Sequence, residues 1–332
     1  MSTDAKIFRI LSIDGGGIRG IIPAILLTEL EQQIGKPIAE QFDLIAGTST
    51  GGILALGLAL RDKAGKPKFA AKDLAALYEQ HGQTIFKKSM LPFANSGLFE
   101  EMYAAEGIES VLKQYFGNSR LKDCSPNVII SAYEIERRRP FFFKSTKAKE
   151  NAADDYLLWQ IARSTSAAPT YFEPSKINKG VNDFLALIDG GVIANNPSIC
   201  AYVEAMKAKP KNILLVSIGT GTLEKPIRYD DAKNWGAVSW IKPLIDILMG
   251  GGSELADYQA DYLFQDRKGS RYIRFQTTLH PDNTAMDDAS PENLRMLKIA
   301  AENMLIDKRE EIRELVKLLQ KSAHTPPQRV GN

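Results

Sequence analysis

The 332-residue chain is poor in the side chains that most often carry redox or metal chemistry, with two cysteines, Cys124 and Cys200, and three histidines, His81, His280 and His324. Two isolated cysteines exclude a disulfide scaffold or a cysteine metal cluster and fit a reducing compartment. An excess of charge of one sign is also missing. Forty-two Lys and Arg against 40 Asp and Glu leave +2, so no basic field marks a nucleic-acid partner. No run approaches the ~18 apolar residues that a spanning helix needs. The opening Met1-Ser2-Thr3-Asp4-Ala5-Lys6 has no apolar core of a leader. These absences predict no classical secretion signal, a cytoplasmic location and at most a peripheral contact with membranes.

What is present reads as an α/β chain. An apolar run over 8–13 leads through Asp14-Gly15-Gly16-Gly17-Ile18-Arg19-Gly20 into a helical pattern over 22–33. A second such unit runs from 42–46 through Gly47-Thr48-Ser49-Thr50-Gly51 into 53–60. Further buried strands are predicted at 127–131, 185–189 and 213–218, and helices at 71–81, 108–115 and 157–166. Helices between strands imply a largely parallel sheet. Beyond about 235 the pattern predicts helices at 242–249 and 253–264, an extended stretch at 272–277 and strong helix over 291–321. The reading is a catalytic domain over 7–222, a helical extension over 223–321 packed on it, and a disordered tail over 322–332.

Ser49 carries the sharpest chemical signal. G-x-S-x-G is meaningful when a strand feeds it and a helix leaves it, because the tight turn then holds the serine Oγ above the sheet. Both flanks are of that kind here. Side chains at Gly47 or Gly51 would collide with neighbours in such a turn. The serine also sits at a helix N-terminus, where unpaired N–H groups favour developing negative charge.

A nucleophile needs an oxyanion site and a proton acceptor. The amides of Gly15, Gly16 and Gly17 can line up toward an anion without a Cβ in the way, and Arg19 adds a cation. Gly15, Gly17 and Gly20 also satisfy G-x-G-x-x-G, but a dinucleotide site wants an acid ending the second strand, which here ends in the serine turn. Two acceptors compete. Chain order allows a triad of Ser49, Asp189 and His280. Alternatively, Asp189-Gly190-Gly191, expected at the same C-terminal sheet edge as Ser49, forms a Ser–Asp dyad. A solvated aspartate near pKa ~3.9 is a feeble base, so the dyad requires a buried Asp189 of raised proton affinity.

Together the loops Asp14 to Gly20, Gly47 to Gly51 and Asp189 to Gly191 resemble the patatin-like phospholipase family. The resemblance continues in Ser131-Ala132-Tyr133-Glu134-Ile135, through 162–172, in Ile193-Ala194-Asn195-Asn196-Pro197 and in Ser217-Ile218-Gly219-Thr220-Gly221. It implies a three-layer α/β/α lipid acyl hydrolase whose dyad works without histidine, cofactor or metal, calcium included. On this resemblance Ser49 is the nucleophile and Asp189 its activator. Gly15 to Gly17 hold the oxyanion, supported by Arg19, while Gly47, Gly51, Gly190 and Gly191 shape the loops. The implied substrates are membrane phospholipids, with galactolipids or simple esters beside them; a storage or lipid-binding protein with residual esterase activity is the alternative.

Acyl chains need an apolar trough, for which Phe141 to Phe143, Tyr171-Phe172 and 240–249 are candidates. Arg137-Arg138-Arg139 and the amphipathic Lys87-Lys88-Ser89-Met90-Leu91 are candidates for contact with an anionic headgroup or membrane surface. An unrestrained lipase would damage membranes, so access is expected to be regulated by a mobile segment, by assembly or by an activator.

Overall fold

The computed structural model describes residues 6–87, 103–223, 226–280 and 285–321. Two strand–turn–helix units open the fold: β1 (Ile7–Ile13) with α1 (Ile21–Ile34), and β2 (Leu44–Gly47) with α2 (Thr50–Ala59). Helices α3 (Ala71–Ile85) and α4 (Ala105–Phe116) lead to the hairpin of β3 (Asn127–Glu134) and β4 (Arg139–Lys144). Next come α5 (Ser145–Glu150), α6 (Leu158–Thr165) and a second hairpin, β5 (Ser175–Gly180) with β6 (Asp183–Asp189). Helices α7 (Gly191–Ala194) and α8 (Ser198–Met206) bring the chain to β7 (Asn212–Ile218) and β8 (Thr222–Leu223). The remainder comprises α9 (Tyr229–Ala232), α10 (Ala237–Gln265), β9 (Arg271–Phe275), β10 (Thr278–Leu279), α11 (Pro291–Asp307) and α12 (Arg309–Lys321).

The main sheet runs β5-β6-β3-β2-β1-β7-β9, with β4 also on β3. From β3 to β9 it is parallel; β4, β5 and β6 are antiparallel additions. Parallel strands are covered on both faces, which is why they read as continuous apolar runs. Successive side chains divide the burial: Ile10, Leu44, Ala46, Leu215 and Ile129 pack toward α8 and α10. Leu11, Ile13, Ile45, Ile130 and Val216 pack toward α1, α2, α3, α11 and α12. The result is the expected three-layer α/β/α arrangement.

Three local expectations change. The segments 242–249 and 253–264 are not separate helices but one, α10, which continues through Gly250-Gly251-Gly252 and carries Pro243 within its first turns. The extended stretch near 272 becomes β9, paired parallel with β7 from Leu214↔Arg271 to Ile218↔Phe275, so the C-terminal segment completes the sheet as well as flanking it. Within that segment α11 starts where its sequence says it should. The Ser290 hydroxyl accepts the Asn293 N–H at 3.2 Å and Pro291 occupies the first turn, where its missing N–H costs nothing. The third change concerns β6 and is taken up below. From β1, buried Arg9 donates to the carbonyls of Gln41 and Leu318 at 3.3 and 3.2 Å, tying α12 to the sheet. No helix of the described residues is long and apolar enough to cross a membrane. The tail over 322–332 lies outside the described residues.

Candidate active site

Ser49 and Asp189 are brought together by strand register. On β3, residues 129–134 pair with β4, residues 127–130 with β2 and residues 132–134 with β6. A strand has two edges, so β2 and β6 share the one that β4 does not use. They run in opposite directions and meet end to end: Gly47 lies opposite Ile130, and Asp189 lies opposite Ala132, two residues further. Asp189 therefore reaches the expected place, but on an antiparallel strand rather than at the C-terminal edge of a parallel one.

The turn after β2 is strained in the way its chemistry requires. Ser49 has φ 54° and ψ −124°, a backbone region that L residues seldom occupy. Its N–H donates to the Thr165 hydroxyl at 2.9 Å, and that hydroxyl donates to the Ser131 carbonyl at 2.6 Å. Thr48 is held by Ser131 Oγ and by the Ala194 carbonyl, each at 2.6 Å. A Cβ on Gly47 would overlap the Gly51 carbonyl, and one on Gly51 would overlap that of Ile13. The strained turn thus needs glycine at both positions, and four elements hold it.

Asp189 is 1% exposed. Its Oδ1 accepts the Gly191 N–H at 2.7 Å, and its own N–H donates to the Ala167 carbonyl at 2.9 Å. Oδ2 makes no hydrogen bond of regular geometry. Burial pushes the carboxyl up to about 7, although the Gly191 amide and the nearby Ser49 hydroxyl favour its charged form. A Cβ on Gly190 would overlap Ser131, which leaves that position to glycine.

The glycine loop after β1 lies beside them, and it narrows one expectation. The Gly15 N–H donates to the Asn195 carbonyl at 3.0 Å and so faces no ligand. The amides of Gly16 and Gly17 make no hydrogen bond among the described residues. Gly17 sits at φ 58°, where a side chain would also strike the Met286 carbonyl. Arg19 braces the loop through Nε to the Gly16 carbonyl at 3.3 Å, and its Nη1 is buried without a partner. Burial lowers the Arg19 guanidinium to about 10, opposed by Asp246 and Tyr171.

One anchor of this loop escaped the sequence analysis. Arg274 on β9 grips Asp14, the residue before Gly15, through two bonds of 3.0 and 2.6 Å, and adds Ser217 Oγ at 2.8 Å. Burial opposes both charges. Arg274 pulls the Asp14 carboxyl back down against it, and Asp14 holds Arg274 firmly protonated. The only signal in sequence is a charged residue between the apolar Ile273 and Phe275, which says nothing of a partner 260 residues away. Removing one member of a buried ion pair strands the other. Arg274→Met is therefore expected to cost about 3–5 kcal/mol of unfolding free energy, read from urea melts. An unchanged midpoint would contradict this account of the pair.

The site opens on a narrow apolar pocket of about 60 Å³ whose wall includes Ser49 and Asp189 with Ile53, Leu77, Ile85, Phe86, Ile108, Phe172 and Met249. Tyr171 and Phe172 line it as expected, whereas from 240–249 only Met249 does. Phe141 to Phe143 do not. Phe141 and Phe143 pack on each other and on Tyr156, with ring centroids 4.9 and 5.3 Å apart for Phe143. Arg137 turns back onto Glu134 and Asp183. Of the segment 87–91, only Lys87 falls within the described residues. Among the described residues no histidine lines the pocket: His280 is exposed and His81 packs edge-on against Tyr115, while His324 lies outside the described residues. Among the described residues no group of three His, Cys, Asp or Glu side chains is placed to hold a metal ion.

Comparison with known proteins shows what the chain is similar to. The description "Patatin-like phospholipase" matches residues 11–199. Patatin-like protein 1 of Arabidopsis thaliana is 32% identical over 90% of this chain and 81% of its own length. Patatin-like protein 1 of Oryza sativa subsp. indica is 35% identical over 89% and 80%. Probable inactive patatin-3-Kuras 1 of Solanum tuberosum is 32% identical over 92% and 88%.

Proposed function

Because the chain belongs to the patatin-like phospholipase family, we propose that it is a lipid acyl hydrolase of phospholipase A type, working through a Ser49–Asp189 dyad and an acyl-enzyme. The observation that carries the reading is the convergence of Ser49 with a buried carboxylate near pKa 7 on the wall of an apolar pocket. A base titrating near neutrality is ionised often enough to act and still binds a proton strongly. The apolar lining of the pocket, Ile53, Leu77, Ile85, Phe86, Ile108, Phe172 and Met249, suits an acyl chain.

In the proposed reaction Ser49 Oγ bonds to the ester carbonyl carbon while Asp189 takes the hydroxyl proton. Charge gathering on the carbonyl oxygen is met by the Gly16 and Gly17 amides and by the N-terminal end of α2. The tetrahedral species collapses with cleavage of the bond to the alcohol oxygen, which receives the proton from Asp189. Water, deprotonated by Asp189, then attacks the acyl-enzyme; the fatty acid leaves and Ser49 regains its proton. Arg19 and Arg274 position the glycine loop and do not touch the ester. No step calls for calcium.

One relative's name marks it as inactive, so the fold alone does not make a hydrolase. Ser49 and Asp189 are both present here, which favours turnover over a storage or lipid-binding role. Phospholipids are the substrates we propose, with galactolipids as a second class reached by peripheral contact with a bilayer. The reading is tested by mass spectrometry of fatty acids released from mixed phospholipid and galactolipid vesicles with calcium chelated. Release from phospholipid in the chelator is expected. A folded protein that releases nothing, or needs calcium restored, would overturn it.

A further inference from the structure

Helix α10 has two apolar faces, and only one has a use in the monomer. Met249, Ser253, Ala256, Ala260 and Phe264 are buried against the body of the protein. On the opposite side Ile241, Leu244, Leu248, Gly251, Leu255, Tyr258 and Tyr262 follow one another at alternating steps of three and four. That is an unbroken heptad seam, the pattern by which one helix pairs with another. The five large side chains from Leu244 to Tyr262 are each 48% to 71% exposed. Midway along the seam stand Gly250, Gly251 and Gly252, where an added Cβ would meet nothing within 4 Å. Glycine weakens a helix relative to alanine, and nothing among the described residues requires three of them there.

We infer that this seam is a two-fold interface, on which α10 of a second copy of the chain packs antiparallel. The pattern is self-complementary about its glycine centre. Reversing one helix about Gly251 sets the glycines of the two copies face to face, places Leu248 of each beside Leu255 of the other, and sets the Tyr258/Tyr262 end beside the slimmer Ile241/Leu244 end. A parallel pairing would stack tyrosine on tyrosine. The five exposed side chains offer roughly 600 Å² per copy, so pairing buries about 1,200 Å², the lower bound of a specific interface. A lipid surface fits less well. Interfacial helices are flanked by lysine and arginine, whereas α10 carries Asp246, Glu254, Asp257 and Asp261 against one lysine. Pairing would also steady the active site. Asn195, whose carbonyl accepts the Gly15 amide, donates to Ser253 Oγ on α10 at 2.9 Å. This inference does not depend on the hydrolase reading.

Sedimentation velocity of the full chain at micromolar concentration tests it. The wild type is expected to sediment as a dimer, and Leu255→Asp with Tyr258→Asp to halve the sedimenting mass while the far-UV circular dichroism spectrum stays that of the folded wild type. Should that variant fail to fold, Gly251→Cys in a Cys200→Ser background, treated with a short bismaleimide, is expected to yield a covalent dimer at an enhanced rate over Cys200→Ser alone. A wild type that stays monomeric, a dimer that survives both aspartates, or no gain in cross-linking would overturn the interface. So would a monomer that floats with zwitterionic vesicles only while the seam is intact, which would assign the face to lipid.

Discussion

Replacing Ser49 by alanine is expected to lower kcat/KM for a soluble fatty-acyl ester by roughly 10⁴-fold or more, the scale on which loss of a catalytic nucleophile is felt. The change removes one oxygen and little else. The hydrogen bonds of the turn are made by the Ser49 backbone and by Thr48, so their network is left in place. Alanine at φ 54° bears the same strain as serine. The thermal midpoint should accordingly move little. Turnover within tenfold of the wild type by a folded Ser49→Ala would remove the nucleophile from the proposal and direct attention to an activated water.

Asp189→Asn has the second large effect, and it acts in opposite directions on rate and stability. The variant keeps the shape of the carboxylate but accepts no proton, so turnover should fall by about 10²–10⁴-fold. Stability should rise. The folded carboxyl titrates near 7, above its ordinary 3.8, because burial disfavours its charge. A raised acid binds its proton more tightly in the folded chain than in the unfolded one, so stability drains away as pH climbs from about 4 to about 7. Asparagine has no such charge to bury. The variant should be more stable than the wild type by a few kcal/mol at pH 8, on the order set by the size of the shift, and no more stable at pH 4. The same group predicts that wild-type kcat/KM rises with pH and levels off above about 7. Urea melts at the two pH values and a pH–rate profile check both halves. A flat profile between pH 6 and 8, or an Asn variant that gains nothing at pH 8, would leave Asp189 without the role of base.

The proposed reaction draws on parts that the sequence disclosed unequally. The serine turn was legible because its requirements are local: two glycines, a strand before and a helix after. The first glycine loop was legible as a loop, but not in its use of each amide. Gly15 proves to be spent on Asn195, and that bond spans 180 residues. The trough was half legible. Tyr171 and Phe172 reach it, while Phe141 and Phe143, apolar and aromatic in the same degree, pack on Tyr156, and Phe142 faces the other side of the sheet. Composition says that a residue is buried, and only packing says against what.

By itself the sequence determined the α/β class, the positions of most helices and strands, the strained turn at Ser49 and the candidate acid at Asp189. These follow from side-chain periodicity and turn chemistry, which act over a few residues along the chain. The tertiary structure decided that β6 runs antiparallel, that its end meets the end of β2, that Arg274 clamps Asp14, and that α10 is one helix with a bare heptad face. It also decided the proton affinity of Asp189. Strand direction, partner choice and desolvation are properties of groups that lie far apart in the chain, from Ala132 and Asp189 to Asp14 and Arg274, and touch only when it is folded.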